Sequence, residues 1–403
     1  MLYMKILFLA LDINIGNKTG DSIHVRELAV SLAKLGNNVI LITADTKNKS
    51  SGLNWAKKIP NLHLFFNERR QRFRNISTLI YCRKIAKKYH VQIIYERRPS
   101  PKIGFALGRL LRIPFIVEIN ALVEEEIALV GERREEISVI KHIKKAFRRH
   151  FFKQAKRVVT VTRNIGNEIQ RTYNLPDEKI GVIPNGANTD LFKPIDLDTC
   201  KKRLDLDKDS RYICFTGNLA PWQGVKYMID AMPLILAEIP DVTLVIVGGG
   251  TQKEALEDRS RKLGVDKHVI FAGWVDYEKV PIYINASDIC VAPLSTGREK
   301  SGSSAIKIYE YLACGKPVIA SDVPSLEFLK KSGCGIIVPK DDVPALASAS
   351  IQLLSNPPHR ARLGQTGRKI VTEKYSWVST AKKVTDLLEY TVKSDNSPLL
   401  FFR

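Results

Sequence analysis

Residues 302–322, GSSAIKIYEYLACGKPVIASD, set Lys307 and Glu310 three positions apart on an expected helix that breaks at Gly315 and Pro317 into a strand. One helix face then offers a single ligand an ammonium suited to a diphosphate and a carboxylate suited to a ribose diol. A solvated i,i+3 ion pair is the plainer reading of the same spacing. Glycine-bearing turns at 217–224 (GNLAPWQG), 248–250 (GGG) and 273–275 each follow an apolar, β-branched run. Backbone N–H groups in such turns can come close to a phosphate or a base, although a triple glycine is also common in ordinary βα turns. Near the N-terminus, residues 16–21 (GNKTGD) precede an expected helix over 22–35, so that the amides around Gly20 and the helix dipole can meet an anion.

Other patterns carry less chemistry. Three D-x-D strings (Asp196/Asp198, Asp205/Asp207, Asp207/Asp209) lie in a polar linker and not at a strand end, so they read as solvated charges and not as ligands of a divalent ion. Seven histidines show no zinc-binding spacing, and no metal or other cofactor is expected. Six scattered cysteines, without a C-x-x-C pair, read as reduced and buried.

These residues need a frame. Strand-like runs at 5–10, 39–43, 92–95, 115–119, 157–161 and 179–183 alternate with helical patterns, and the rhythm restarts after residues 193–209 with runs at 212–216, 242–247, 269–272, 289–292, 318–320 and 336–338. Such alternation predicts two α/β domains with parallel, doubly wound sheets, whose ligands sit beyond the carboxyl ends of the strands. Every loop singled out above follows an expected strand.

The chain has 403 residues, 44% of them hydrophobic, which is enough for two ordinary cores. The apolar run 6–11 is too short for a membrane span and lacks a cleavage site, so a cytoplasmic location is expected. Net charge is +21. Residues 1–190 hold 34 Lys+Arg against 17 Asp+Glu, and residues 191–403 hold 29 against 25, so the basic surface is N-terminal. Part of it is a basic amphipathic pattern over 137–156. Ile137, Ile140, Ile143, Phe147 and Phe151 form a stripe expected to pack on the sheet, with Lys141, Lys144, Lys145, Arg148, Arg149 and Lys153 around it. With Arg69, Arg70, Arg72 and Arg74 this cationic face suits the anionic inner leaflet of a membrane, or is a solvated face without a partner. No nucleic-acid module accompanies the charge, and no nucleic-acid partner is expected.

The run KIYEYLACGKPVIA resembles the donor-binding motif of family 4 retaining glycosyltransferases of GT-B fold ("glycosyl transferases group 1"). RVVTVTRNIGNEI and IPNGANTDLFKP are similar to the end of that family's first domain, and FTGNLAPWQGVKYMIDAM, VTLVIVGGG and VIFAGWV to its second, so that the likeness spans about Lys5 to Trp377. It implies two Rossmann-like domains facing each other across a cleft: 1–192 on the acceptor side, 193–375 for the nucleotide-sugar, and 376–403 as a helix crossing back, plus a tail. Transfer of a sugar from a nucleotide-diphosphate-sugar with retention, by a hexosyltransferase-type and metal-independent enzyme, is the implied reaction. Surface polysaccharide or other glycoconjugate synthesis is the expected setting, and the cationic N-terminal face points to a lipid-linked acceptor, polyprenyl-diphosphate-linked or another glycan. The implied donor residues are Gly20, Gly217, Asn218, Gln223, Gly224, Lys226, Gly248, Gly249, Val275, Ser303, Ser304, Lys307 and Glu310, with Glu310 on the ribose and Val275 at the base.

The chain departs from the family at three places. Gly302 stands where a first glutamate is usual, and Asn218 and Gln223 where an Arg and a Lys are usual, so Lys226, Arg298, Lys300 and Lys307 become candidates for the leaving-group cation. Asn120 stands where many members carry a histidine near the reacting sugar; it can hydrogen-bond but not shuttle a proton at neutral pH. Glu118, on the same strand face, either supplies the missing charge or is a structural carboxylate paired with Arg97. Lys307, Asn120, Glu118 and Arg298 are the expected catalytic set. A nucleotide-sugar 2-epimerase of the same architecture, and a non-catalytic donor-binding subunit, are the alternative functions.

Overall fold

The computed structural model describes residues 3–44, 54–67, 74–98, 100–122, 125, 138–295, 304–324 and 326–396. Contacts divide the chain into two compact units, one of Met1–Asn17, Asp21–Pro184 and Trp377–Arg403, the other of Lys18–Gly20 and Asn185–Ser376. Each is built on one all-parallel sheet with helices around it, the Rossmann-like pair of a GT-B architecture.

The first unit's sheet holds β1 (Lys5–Ala10), β2 (Asn38–Ala44), β3 (Leu62–Asn67), β4 (Ile93–Arg97), β5 (Phe115–Ile119), β6 (Arg157–Thr160) and β7 (Ile180–Val182), in the order β3-β2-β1-β4-β5-β6-β7. β1, β2, β4 and β5 are buried along almost their whole length, as parallel strands covered on both faces must be. The edge strand β3 is an addition to the sequence reading. Its LHLFFN contains no β-branched residue and is only half-buried, so the pattern that betrays the other strands is missing.

The second sheet holds β8 (Arg211–Thr216), β9 (Val242–Val247), β10 (Val269–Gly273), β11 (Ile289–Ala292), β12 (Val318–Ser321) and β13 (Gly335–Val338), in the order β10-β9-β8-β11-β12-β13. The direction in which successive strands are added reverses at β1/β4 in the first unit and at β8/β11 in the second. Loops leaving such a pair diverge to opposite faces and open a crevice at the carboxyl edge.

The last helix, Trp377–Asn396, groups with the first unit. Trp377 is fully buried there, edge-on to His24 at 5.3 Å, and Asn37 Nδ2 donates to Thr385 Oγ1 at 3.1 Å.

One expectation about packing is corrected. Among the described side chains of the 137–156 stripe Phe151 is buried, whereas Ile143 and Phe147 face outward. The side chains of Ile140, Lys141 and Arg74, like Ile137, Arg69, Arg70 and Arg72, lie outside what the structure describes.

Candidate functional site

At the carboxyl edge of the second sheet three turns are joined through their backbones. Gly217 N donates to Val247 O at 2.8 Å, Leu219 N to Gly249 O at 2.9 Å, and Gly248 N to Gly273 O at 2.8 Å. Glycine is required where two of them meet: a Cβ on Gly248, at φ +138°, would stand 1.9 Å from the Gly217 carbonyl oxygen. Asn218 is exposed over Gly250, Val275 is half-buried on the third turn, and the exposed Trp274 lies against Gly249.

The helix Ile306–Ala313 delivers Lys307 and Glu310 to this assembly. Tyr311, fully buried on it, accepts hydrogen bonds from the backbone N (2.7 Å) and Oγ1 (3.1 Å) of Thr216, which fixes the helix against the end of β8. Lys307 Nζ then sits 3.9 Å above the Phe215 ring, donates to Gln223 Oε1 at 2.7 Å, and lies 2.9 Å from where a Cβ on Gly217 would be. Its ammonium thus occupies the loop in which the neutral Asn218 and Gln223 replace the expected cations. Burial pulls the Lys307 pKa down to about 7, against a smaller upward pull from Glu310. An anion arriving beside it restores the full charge.

Glu310 is buried and is not the solvated partner of Lys307; its Oε1 accepts from Tyr277 OH at 3.0 Å. Tyr277 escaped the sequence reading because it sits in a short 3-10 turn, Tyr277–Lys279, without periodicity. Lys226 is exposed and lies over Tyr227, 4.5 Å from the ring centroid. Gly224 opens the helix Val225–Glu238. Ser304 is engaged in architecture: its Oγ accepts from Asn185 N at 3.1 Å and its carbonyl from Asn185 Nδ2 at 2.7 Å, holding the 183–194 turn. The motif's second lysine, Lys316, donates to Asn285 O at 3.0 Å, also a scaffolding contact. Arg298, Lys300, Gly302 and Ser303 lie outside the described residues.

The first unit gathers a second polar group at its own carboxyl edge. Glu118 Oε1 lies 2.6 Å from His24 Nε2, with both side chains buried, and Glu118 also bonds the buried Tyr95. Asn120 links this pair onward. In the amide orientation that satisfies both neighbours, its nitrogen donates to Glu118 Oε1 at 2.9 Å and its oxygen accepts from Arg97 Nε at 3.1 Å. Arg97 Nη2 in turn meets Asp21 Oδ1 at 2.5 Å. Glu118 thus meets His24 directly and Arg97 through Asn120. Burial alone would raise the Glu118 pKa, but His24 and Arg97 hold it below the ordinary carboxylate range. His24 was missed because it falls on the apolar side of the helix Gly20–Lys34, where a histidine reads as core. Gly20 begins that helix and has open space where a Cβ would stand.

Glu96, at the end of β4, is a further buried carboxyl. Its Oε2 accepts from Gly104 N at 2.7 Å, yet burial drives its pKa up to about 8. A group that keeps its proton in the folded state while the unfolded chain has released it subtracts from stability as pH rises. The loss runs from the ordinary value of 4.5 to about 8, at up to about 1.4 kcal/mol per pH unit. Glu96→Gln is therefore expected to leave the melting temperature nearly unchanged at pH 5 and to raise it at pH 8.5. Thermal melts at the two pH values test this, and an equal shift at both removes the titration from the account.

Among the described residues no group of three or more His, Cys, Asp or Glu is placed to hold a metal ion. Asp196 caps the helix Leu197–Arg203, accepting from Thr199 N at 2.9 Å, and Asp207 accepts from Asp209 N at 3.1 Å.

Two family models match the chain, "Glycosyltransferase Family 4" over residues 19–191 and "Glycosyl transferases group 1" over residues 197–370. An uncharacterized glycosyltransferase of Methanocaldococcus jannaschii is 29% identical over 297 residues, covering 72% of this chain and 73% of that protein. A GDP-mannose-dependent monoacylated alpha-(1-6)-phosphatidylinositol monomannoside mannosyltransferase of Corynebacterium glutamicum is 30% identical over 213 residues. That match covers 51% of this chain and about half of the relative, 55%. Among solved structures, sucrose-phosphate synthase from Thermosynechococcus elongatus superposes with a TM-score of 0.78 at 21% identity, covering 97% of this chain and 100% of the other, a likeness of fold.

Proposed function

Because this chain belongs to the family 4, group 1 glycosyltransferases, which use nucleotide-sugar donors, we propose that it transfers a hexose with retention to a lipid-linked acceptor at the cytoplasmic face of a membrane. The observation that carries the catalytic part is the placement of Lys307 Nζ in the Gly217 loop, 2.7 Å from Gln223 Oε1. There it faces the negative charge that develops as the bond between the anomeric carbon and the diphosphate oxygen breaks. The electron pair of that bond stays on the diphosphate. The acceptor hydroxyl attacks the anomeric carbon from the same face, and its proton passes to the departing phosphate oxygen, which keeps the anomeric configuration. Glu310, steadied by Tyr277, takes the ribose diol; the turn around Val275 takes the base. The chain from His24 through Glu118 and Asn120 to Arg97 fixes the acceptor-side edge.

A lipid-linked acceptor is supported by the relative whose name places it on a phosphatidylinositol mannoside, and by the N-terminal excess of positive charge; a polyprenyl diphosphate is the lipid carrier proposed. Assembly of a surface polysaccharide or another glycoconjugate is the corresponding role. The test is incubation with UDP- and GDP-sugars and a detergent-dispersed polyprenyl-diphosphate sugar, with the product's anomeric configuration read by NMR. An inverted product overturns retention. An epimerised donor formed without acceptor points to the epimerase, and donor binding without turnover on any acceptor points to a non-catalytic subunit.

A further inference from the structure

Three helices follow one another in the first unit: Arg74–Tyr89 after β3, Lys102–Leu111 after β4 and Ser138–Gln154 after β5. The three connections advance in the same direction across the sheet, so right-handed crossovers lay these helices side by side on one face. The rings of Phe105 and Phe151, 5.2 Å apart, join the second to the third. Their sequences, RNISTLIYCRKIAKKY, KIGFALGRLL and SVIKHIKKAFRRHFFKQ, contain thirteen Lys and Arg and no Asp or Glu. A fourth helix on that face, Arg163–Tyr173, carries Arg163, Arg171 and one acid, Glu168. Charge of one sign over three neighbouring helices is not what solvated helices need, since mixed signs along a face stabilise them better.

The same layer exposes large apolar side chains. Ile76 and Ile80, one turn apart on the first helix, are 62% and 64% exposed; Ile143 and Phe147, one turn apart on the third, are 50% and 58% exposed; Leu110 on the second is 55% exposed. In each outer helix the apolar pair starts in the N-terminal half, and basic residues flank or follow it: Arg83, Lys84, Lys87 and Lys88 on the first, Lys144, Lys145, Arg148 and Arg149 on the third. Aliphatic tips among long cationic side chains match the boundary between anionic headgroups and acyl chains. Lys and Arg lie at the phosphates, and the apolar tips reach below them. A nucleic acid would be met by the same charge, but of the five exposed apolar side chains named here Phe147 alone carries a ring, where a stacking surface for successive bases needs several.

We propose that these three helices form the membrane-docking face of the chain, and that Ile76, Ile80, Ile143 and Phe147 insert shallowly into an anionic leaflet while the Lys and Arg side chains described beside them hold its headgroups. The proposal deepens the lipid-linked reading and rests on it for the choice of occupant. Since helices between parallel strands point their N-termini toward the carboxyl edge of the sheet, such docking brings that edge, with Glu118 and Asn120, toward the headgroups.

The test uses the full chain in sedimentation with phosphatidylcholine vesicles, with and without about 30 mol% phosphatidylglycerol, at about 150 mM salt. Anionic vesicles are expected to bind at least about tenfold more protein than neutral ones. The variant Ile76→Ser/Ile80→Ser/Ile143→Ser/Phe147→Ser is expected to lose about tenfold in that binding while keeping its melting temperature and its thermal shift with nucleoside diphosphate. Phe147→Trp alone should gain fluorescence quenching from brominated lipid, which keeps the proposal testable if the quadruple variant folds poorly. Equal binding by the variant, absence of quenching, or tighter binding to single-stranded nucleic acid than to vesicles at the same salt overturns it. Vesicle binding that persists while no sugar transfer occurs overturns the enzymatic reading and leaves the docking face standing.

Discussion

Lys307→Met is expected to lower kcat by about 10²–10³-fold, the loss of roughly 3–4 kcal/mol that one preorganised oxyanion-type partner supplies. The donor KM should move far less, because the charge that Lys307 meets is largest at the point of bond breaking. The pH dependence sharpens the test. With its pKa drawn to about 7 by burial, free Lys307 loses its proton as pH rises through that value. The donor kcat/KM, which reports the free enzyme, should then fall above about pH 7. The limb in kcat should lie at higher pH, since bound diphosphate stabilises the ammonium. Lys307→Met should flatten the kcat/KM limb. Full turnover in that variant with an unchanged donor constant removes Lys307 from the leaving-group role, and a limb that survives the substitution belongs to another group.

Gly248→Ala is expected to abolish donor binding outright. The added methyl would overlap the Gly217 carbonyl at 1.9 Å, and φ +138° strains any L side chain. Neither side of that contact is a flexible side chain, so the turns must separate, and the hydrogen bonds from Gly217 to Val247 and from Gly248 to Gly273 go with them. A cost of about 2–4 kcal/mol in stability accompanies the change. Differential scanning fluorimetry with and without nucleoside diphosphate measures both. A variant that keeps the ligand-induced shift shows that the 248–250 turn does not border the nucleotide.

Much of this was legible before any coordinates. Buried parallel strands announce themselves by β-branched runs, which is why β9 and β11 match their expected bounds and why β3, an edge strand of LHLFFN, does not. Lys307 and Glu310, the proposed donor residues, are legible as a pair because one helix carries both. Tyr277, which bonds Glu310, and Tyr311, which anchors the helix to Thr216, are not legible, since a tyrosine hydroxyl that bonds inside the fold reads as a core aromatic in a sequence. In the first unit the gap at Asn120 was visible but His24 beside Glu118 was not, because the pairing joins a helix and a strand 94 positions apart. The apolar stripe of Ser138–Gln154 shows the opposite failure. Periodicity marked a face correctly, but it does not say whether sheet, solvent or something else covers that face.

The placement of Trp377–Asn396 on the first unit has a consequence for how the protein comes into being. The unit that opens with β1 lacks Trp377, Ala381, Val384 and Leu388, all buried, until the segment after Ser376 has been synthesised. The other unit, continuous from Asn185 to Ser376, can close first, so the half that is synthesised earliest is completed last. A fragment ending at Pro184 would leave His24 and Asn37 without the helix that covers them, and would be a poor vehicle for studying the first unit alone.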